Sequence, residues 1–220
     1  MAKIIDLTFD LHEGMLTYPA PWHPIVEVTQ LGRFSLEGRM SNKVSLGTHT
    51  GTHVDAPLHF IENGLSIDKV DLNVLVGPAK VIDMTHKGSY SKITVEDLEK
   101  LNVKIEKGDR VVIKTGWDKH WQTTEYYKSY PCFTEEAAKW LVDKGVILLG
   151  LDTPSPDDPQ AKTEPGVGSP IHTIFLSNNL ILCEYMTNLS DLPENIFICA
   201  LPLKLKNGDA FPARVIAILD

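Results

Sequence analysis

Three of the eight histidines and one aspartate fall within eleven residues, His49-Thr50-Gly51-Thr52-His53-Val54-Asp55-Ala56-Pro57-Leu58-His59. His49, His53 and Asp55 offer two nitrogens and a carboxylate, a donor set suited to Zn²⁺, Mn²⁺ or Fe²⁺, and leave His59 as an acid/base. The alternative is a polar loop whose histidines only satisfy hydrogen bonds.

Positioning these groups places demands on the backbone. At period two, His49, Gly51, His53, Asp55, Pro57 and His59 share one face of a strand. A straight strand nevertheless separates residues four apart by roughly 13 Å, against metal–ligand bonds of about 2 Å. A helix would bring them together, but Gly51, Pro57 and the β-branched Thr50, Thr52 and Val54 oppose one. The chain must bend, most easily at Gly51 and Pro57.

Further along, Glu184 interrupts the apolar run Leu180–Met186. A buried unpaired carboxylate is costly, so Glu184 needs a cation, strong hydrogen bonds, or an edge strand that turns it to water. Asp152 follows the apolar strand Val146–Leu151, where it either lines a site or caps a turn. The loop Tyr18-Pro19-Ala20-Pro21-Trp22 either walls a pocket or plugs the edge of a core. His12, His23, His86 and His120 have no partner at a suggestive spacing and stay outside the candidate site.

The remaining pattern supplies a mixed α/β scaffold. Strands are expected over Lys3–Phe9, Ile25–Leu31, Arg39–Leu46, Ala79–Met84, Arg110–Lys114, Asn195–Leu203 and Pro212–Leu219, with the third running straight into the histidine cluster. Thr94 and Thr134 each cap a helix, the second ending at Gly145, and a short helix is expected around Leu72–Leu75. Trp117, Trp121, Tyr126 and Tyr127 occupy an irregular stretch packed over the sheet. Thr153–Ser169 reads as a long surface loop and candidate lid that contributes nothing to a core. Ser169-Pro170 then starts a helix that carries His172 in its first turn and fades at Asn178-Asn179.

Residues 1–220 are expected to form a single domain, because no low-complexity linker or repeat divides them. Hydrophobic residues make up 43% and charged residues 23%, as in an ordinary globular chain. The formal charge of −8 argues against a nucleic-acid surface, which needs basic patches. The apolar runs are too short to cross a bilayer, so the expectation is a soluble cytoplasmic protein with small-molecule partners. Cys132, Cys183 and Cys199 form no disulfide or metal pattern and read as buried thiols.

The eleven residues match the H-x-G-T-H-x-D-x-P-x-H signature, and on them the chain resembles the metal-dependent cyclase family, which includes bacterial kynurenine formamidases and isatin hydrolases. The likeness extends to the Tyr-Pro loop, Lys114-Thr115-Gly116-Trp117, Gly150-Leu151-Asp152-Thr153-Pro154-Ser155, His172 and Glu184. The formamidases place an aromatic residue before Pro-Gly-Asp in the N-terminal loop, whereas Tyr18-Pro19 here leads into Ala20-Pro21-Trp22.

The resemblance implies a swivelling β/β/α fold around a barrel-like sheet flanked by helices, assembled as a homodimer or higher homo-oligomer. It implies two divalent metal ions, zinc or manganese. His49, His53 and Asp55 hold the first, His172 the second, with Asp55 and Glu184 able to bridge. Tyr18 contacts substrate and His59 moves the proton. The implied reaction is hydrolysis of a small amide by a metal-bound hydroxide, foremost an aryl formamide of the N-formylkynurenine type in tryptophan catabolism. A cyclic amide such as isatin is the alternative substrate, and a non-catalytic metal-binding or small-ligand-binding protein the alternative role. A serine hydrolase is disfavoured, since no Gly-x-Ser-x-Gly elbow occurs.

Overall fold

The protein is described from a computed structural model covering residues 2–100, 103–161 and 169–219. Its elements are β1 (Lys3–Asp6), β2 (Glu27–Gly32), α1 (Phe34–Glu37), β3 (Ser41–Ser45), β4 (His53–Asp55), α2 (Leu72–Leu75), β5 (Val76–Asp83), β6 (Lys92–Ile93) and α3 (Val95–Glu99). They continue with β7 (Arg110–Lys114), α4 (Thr124–Lys128), β8 (Cys132–Phe133), α5 (Glu135–Asp143), β9 (Leu148–Leu151), α6 (Pro170–Ser177), β10 (Ile181–Glu184), β11 (Asn195–Pro202) and β12 (Ala210–Leu219).

Eight strands pair in the order β1-β12-β11-β5-β7-β9-β10-β4, and β4 pairs again with β12. Seven strands therefore close a ring, with β1 laid against β12. This is the barrel-like α/β architecture that the resemblance implies. Strand pairs from β5 to β10 are parallel, and β4, β11 and β12 join antiparallel. Closure leaves the ring without a free edge.

Side-chain alternation divides the core into two. Val112, Leu148, Ile181, Cys183 and Val54 belong to one apolar cluster, while their neighbours Val111, Ile113, Leu149 and Leu182 pack with Phe175, Ala137 and Leu141 of α6 and α5. One parity thus fills the ring and the other meets the helices. His53 and Asp55 flank Val54, and Glu184 shares the parity of Leu182, so all three lie on the helix side. The polar site is built where β4 and β10 face α6.

Local signals explain several boundaries. Thr94 accepts from the Asp97 amide while Asp97 Oδ2 accepts from the Thr94 amide at 2.8 Å, a reciprocal cap on α3. Thr134 caps α5, and Gly145 beyond its end has φ +78°. Several expectations change. The third predicted strand ends at Ser45 and pairs with β2; a turn separates it from the cluster, whose own strand is β4. The stretch expected to be irregular contains α4, capped by Thr123, because Tyr126 and Tyr127 join an aromatic cluster with Trp117, Tyr130 and Tyr185.

Thr153, Pro154, Ser155, Pro156 and Asp157 are buried rather than on the surface, since their polar groups bond one another and α6. Of the rest of the candidate lid, Asp158, Pro159 and Ser169 are half-buried, Gln160 and Ala161 are exposed, and residues 162–168 lie outside the described residues. Helix α6 starts at Pro170 with Ser169 in the N-cap position, as expected, while the Asp157 carboxylate rather than the Ser169 hydroxyl accepts from the first-turn amides. Cys132 and Cys183 are buried, while Cys199 is only half-buried. Among the described residues, no helix is long and apolar enough to cross a membrane.

Candidate metal centre

The predicted bend is at Gly51, whose φ of +60° lies in the left-handed region that glycine enters without strain. It folds the turn carrying His49 back over β4. Pro57 then begins a single 3-10 turn that ends at His59, so the three histidines converge from a turn, a strand and the end of a 3-10 turn. The shared strand face expected for all six residues of one parity survives only at His53 and Asp55.

His49 Nδ1 lies 2.8 Å from Asp55 Oδ1 and 3.2 Å from His53 Nε2, and His53 Nε2 lies 3.1 Å from the same oxygen. Donors around a tetrahedral ion with bonds of about 2.0–2.1 Å would stand roughly 3.3 Å apart. On the other side, His172 Nε2 lies 3.6 Å from Asp55 Oδ2 and 3.3 Å from Glu184 Oε1, while Glu184 Oε2 is 3.6 Å from His53 Nε2. Each carboxylate thus turns one oxygen toward His53 and the other toward His172.

Asp55 and Glu184 are almost wholly inaccessible, and among the described residues both Asp55 oxygens and Glu184 Oε1 lack a hydrogen bond of acceptable geometry. Orphaned buried carboxylate oxygens are costly, and lone pairs converging with imidazole nitrogens can be satisfied by a cation. The donor set therefore fits a divalent metal. Glu184 does not face water, because β10 is flanked by β9 and β4.

The electrostatics agree. Burial alone would lower His49, but Asp55 and Asp209 on its two sides raise it to about 10. Burial would raise Asp55, yet His49 and His53 hold it well below the usual carboxylate range. Burial raises Glu184, with His172 opposing. The attraction that favours a proton on His49 is equally an attraction for a metal cation. His59 behaves differently: burial, with His49 and His172 adding to it and Asp55 opposing, pushes it down to about 3 and keeps the ring neutral. Its ring lies 3.8 Å from that of His49, centroid to centroid.

These groups open into a cavity of about 730 Å³ whose walls include Tyr18, Trp22, Phe60, Tyr127 and Tyr185. The Tyr-Pro loop walls this pocket. Phe60 stacks on His172 at 4.8 Å.

Sequence reasoning missed three neighbours. His23, set aside for want of a partner, lies 6.1 Å from His49 between ring centroids. Asp209 accepts from His49 Nε2 at 2.8 Å, and Asp157 from His172 Nδ1 at 2.5 Å. No spacing signal marks any of them, because each arrives on a separate loop. Asp152 is a cap rather than a site residue: it accepts from the Thr115 and Gly116 amides and the Thr115 hydroxyl, and burial raises it to about 7.

Known proteins resemble this chain in sequence and in fold. The profile of the Cyclase family, described as "Putative cyclase", matches residues 5–158. A kynurenine formamidase of Erythrobacter litoralis is 34% identical across 97% of this chain and 93% of its own length. Isatin hydrolase A from Ralstonia solanacearum superposes with a TM-score of 0.90 at 28% identity, covering 100% of this chain and 92% of that one. A protein described as a potential metal-dependent hydrolase with cyclase activity superposes with a TM-score of 0.79 at 31% identity, covering 100% and 99%.

Proposed function

The chain belongs to the cyclase family of metal-dependent hydrolases, and on that premise we propose that it cleaves a small aryl formamide of the N-formylkynurenine type. The observation that carries this reading is the pair of buried, unsatisfied carboxylates, Asp55 and Glu184, converging with imidazoles at the floor of an aromatic-walled pocket. His49, His53 and Asp55 would hold one divalent ion and His172 a second, with Asp55 and Glu184 shared. Zinc and manganese both suit this nitrogen and carboxylate set.

Such ions supply Lewis acidity, which makes a nucleophile available at neutral pH and steadies charge on the carbonyl oxygen. The side chains supply the rest. Burial holds His59 neutral, and its Nδ1 lies 3.8 Å from Asp209 Oδ2. It takes a proton from the attacking water and returns it to the departing nitrogen as the carbon–nitrogen bond breaks, giving formate and an aryl amine. Tyr18, Phe60 and Trp22 offer flat surfaces for the aryl group and limit water.

The same centre could open a cyclic amide, a reading favoured by the superposition on an isatin hydrolase. Assaying metal-replete protein against formylkynurenine, isatin and simple formamides, with elemental analysis of the same sample, separates the two. Turnover of none of them would overturn both. The unpaired cysteines suit a reducing cytoplasm, and formylkynurenine would place the enzyme in tryptophan catabolism. Exposed Leu31, Phe34, Leu36, Met40 and Val44 on the β2-α1-β3 arm support a homodimer, to be checked by light scattering.

A further inference from the structure

Every metal-facing imidazole has a second nitrogen, and the structure specifies what each one meets. His53 Nδ1 donates to the Gly51 carbonyl at 2.8 Å. His49 and His172 instead donate to carboxylates, Asp209 and Asp157. We propose that Asp157 and Asp209 are positioning residues of the metal centre, each fixing the ring and tautomer of one histidine and together completing the site's negative charge. This rests on the metal reading above.

Both carboxylates are themselves held. Asp157 is buried; Oδ1 accepts from the Ile171 amide at 2.8 Å, and Oδ2 from the His172 amide at 3.3 Å and its Nδ1 at 2.5 Å. The Asp157 amide bonds Ser155 Oγ at 3.1 Å, which sets the direction of the side chain. One carboxylate therefore starts α6 and aims the ring that α6 carries. Asp209 is anchored through its carbonyl, which accepts from the Ala56 amide at 2.9 Å just past β4. Its Oδ2 accepts from His49 Nε2 at 2.8 Å and faces His59 Nδ1 at 3.8 Å.

Outer carboxylates of this kind raise the basicity of the ligand they touch and fix its orientation. Charge gives a second, independent argument. Asp55 and Glu184 carry two negative charges between them, and two divalent ions carry four positive ones. Asp157, which is buried, and Asp209, whose side chain is 37% exposed, add two more negative charges within one imidazole of the centre. In a poorly solvated site an unbalanced charge is expensive.

The test is the apparent affinity for Zn²⁺ and Mn²⁺, measured by competition with a chromophoric chelator at pH 7, for the natural protein and for Asp209→Asn, Asp209→Ala and Asp157→Asn. Metal-free melting temperatures are recorded alongside. Each variant should bind about 10- to 100-fold more weakly. Asp209→Asn, which retains an acceptor for Nε2, should recover part of the loss seen in Asp209→Ala. A purely helix-capping Asp157 would lower the metal-free melting temperature and leave affinity alone, and unchanged affinity in the Asp209 variants as well would overturn the proposal. If the natural protein itself binds neither ion, the metal reading fails instead.

Discussion

Glu184 is the cross-strand partner of His53: the antiparallel register of β10 on β4 sets them opposite one another, with Oε2 3.6 Å from Nε2. Two residues far apart in the chain thereby become neighbours through backbone hydrogen bonds alone. Glu184→Gln preserves that pairing and the side-chain shape while removing the charge. Bound metal, read by elemental analysis, should fall. The rise in stability on adding metal, about 2.7 kcal/mol at a hundredfold excess over Kd for the natural protein, should shrink with it. Full metal content in this variant would remove Glu184 from the donor set.

His59 lies beside the carboxylate–imidazole cluster with its ring held neutral. His59→Ala should keep its metal and lose about 10²-fold or more in kcat. Parallel kinetics and metal analysis separate these effects; undiminished turnover would assign the proton transfer elsewhere.

Gly51 makes the turn that carries His49 toward Asp55. Gly51→Ala puts a Cβ at φ +60°, which costs roughly 1–2 kcal/mol. That Cβ would also lie 2.7 Å from the end of the flexible Leu11 side chain, which can move aside. The expected result is a lower melting temperature together with weaker metal binding. A variant that loses stability but binds metal normally would show that the turn does not set His49.

Asp97 supplies a pH prediction away from the centre. Burial would raise its pKa, but Lys87 at 2.6 Å and the Thr94 amide and hydroxyl lower it to about 2. The folded value lies below the unfolded one, so its contribution is complete above about pH 4 and disappears as pH falls toward 2. Asp97→Asn should destabilise by about 1 kcal/mol at neutral pH. Denaturation curves of the two proteins should converge across that acid window, and a gap that persists at pH 2 would rule out the charge as its cause.

Legibility in the sequence followed the range of the interaction. Arg110–Lys114 and the caps at Thr94 and Thr134 rest on neighbours a few positions away and are readable without a fold. The bend at Gly51 was readable because a metal constraint and a glycine coincide. His172 and Glu184 were reached through resemblance, since spacing alone left Glu184 between a cation and water. Asp157 and Asp209 were not readable: an aspartate beside prolines or after Asn207-Gly208 looks like any turn residue until the ring it touches is known. Burial of Thr153–Asp157 was hidden for the same reason, because its polar groups are satisfied by partners that only the folded chain brings close. Thr124–Lys128 was obscured by tyrosines that pack sideways into an aromatic cluster.

The ring closes where β12 pairs with β4, Ala210 opposite Asp55 and Pro212 opposite His53. During synthesis, the strand carrying two of the candidate ligands leaves the ribosome long before the strand that seals it. Until residues 210–219 emerge, β4 has an unpaired edge, and Asp209, which holds His49, has not yet been made. A nascent chain therefore holds its histidine cluster in unfinished form until β12 is available to pair with β4. Metal capture is tied to the emergence of β12, and such long-range closure is slow to form. Ribosome-bound chains stalled before residue 209 should be unable to retain the ion that the released protein holds.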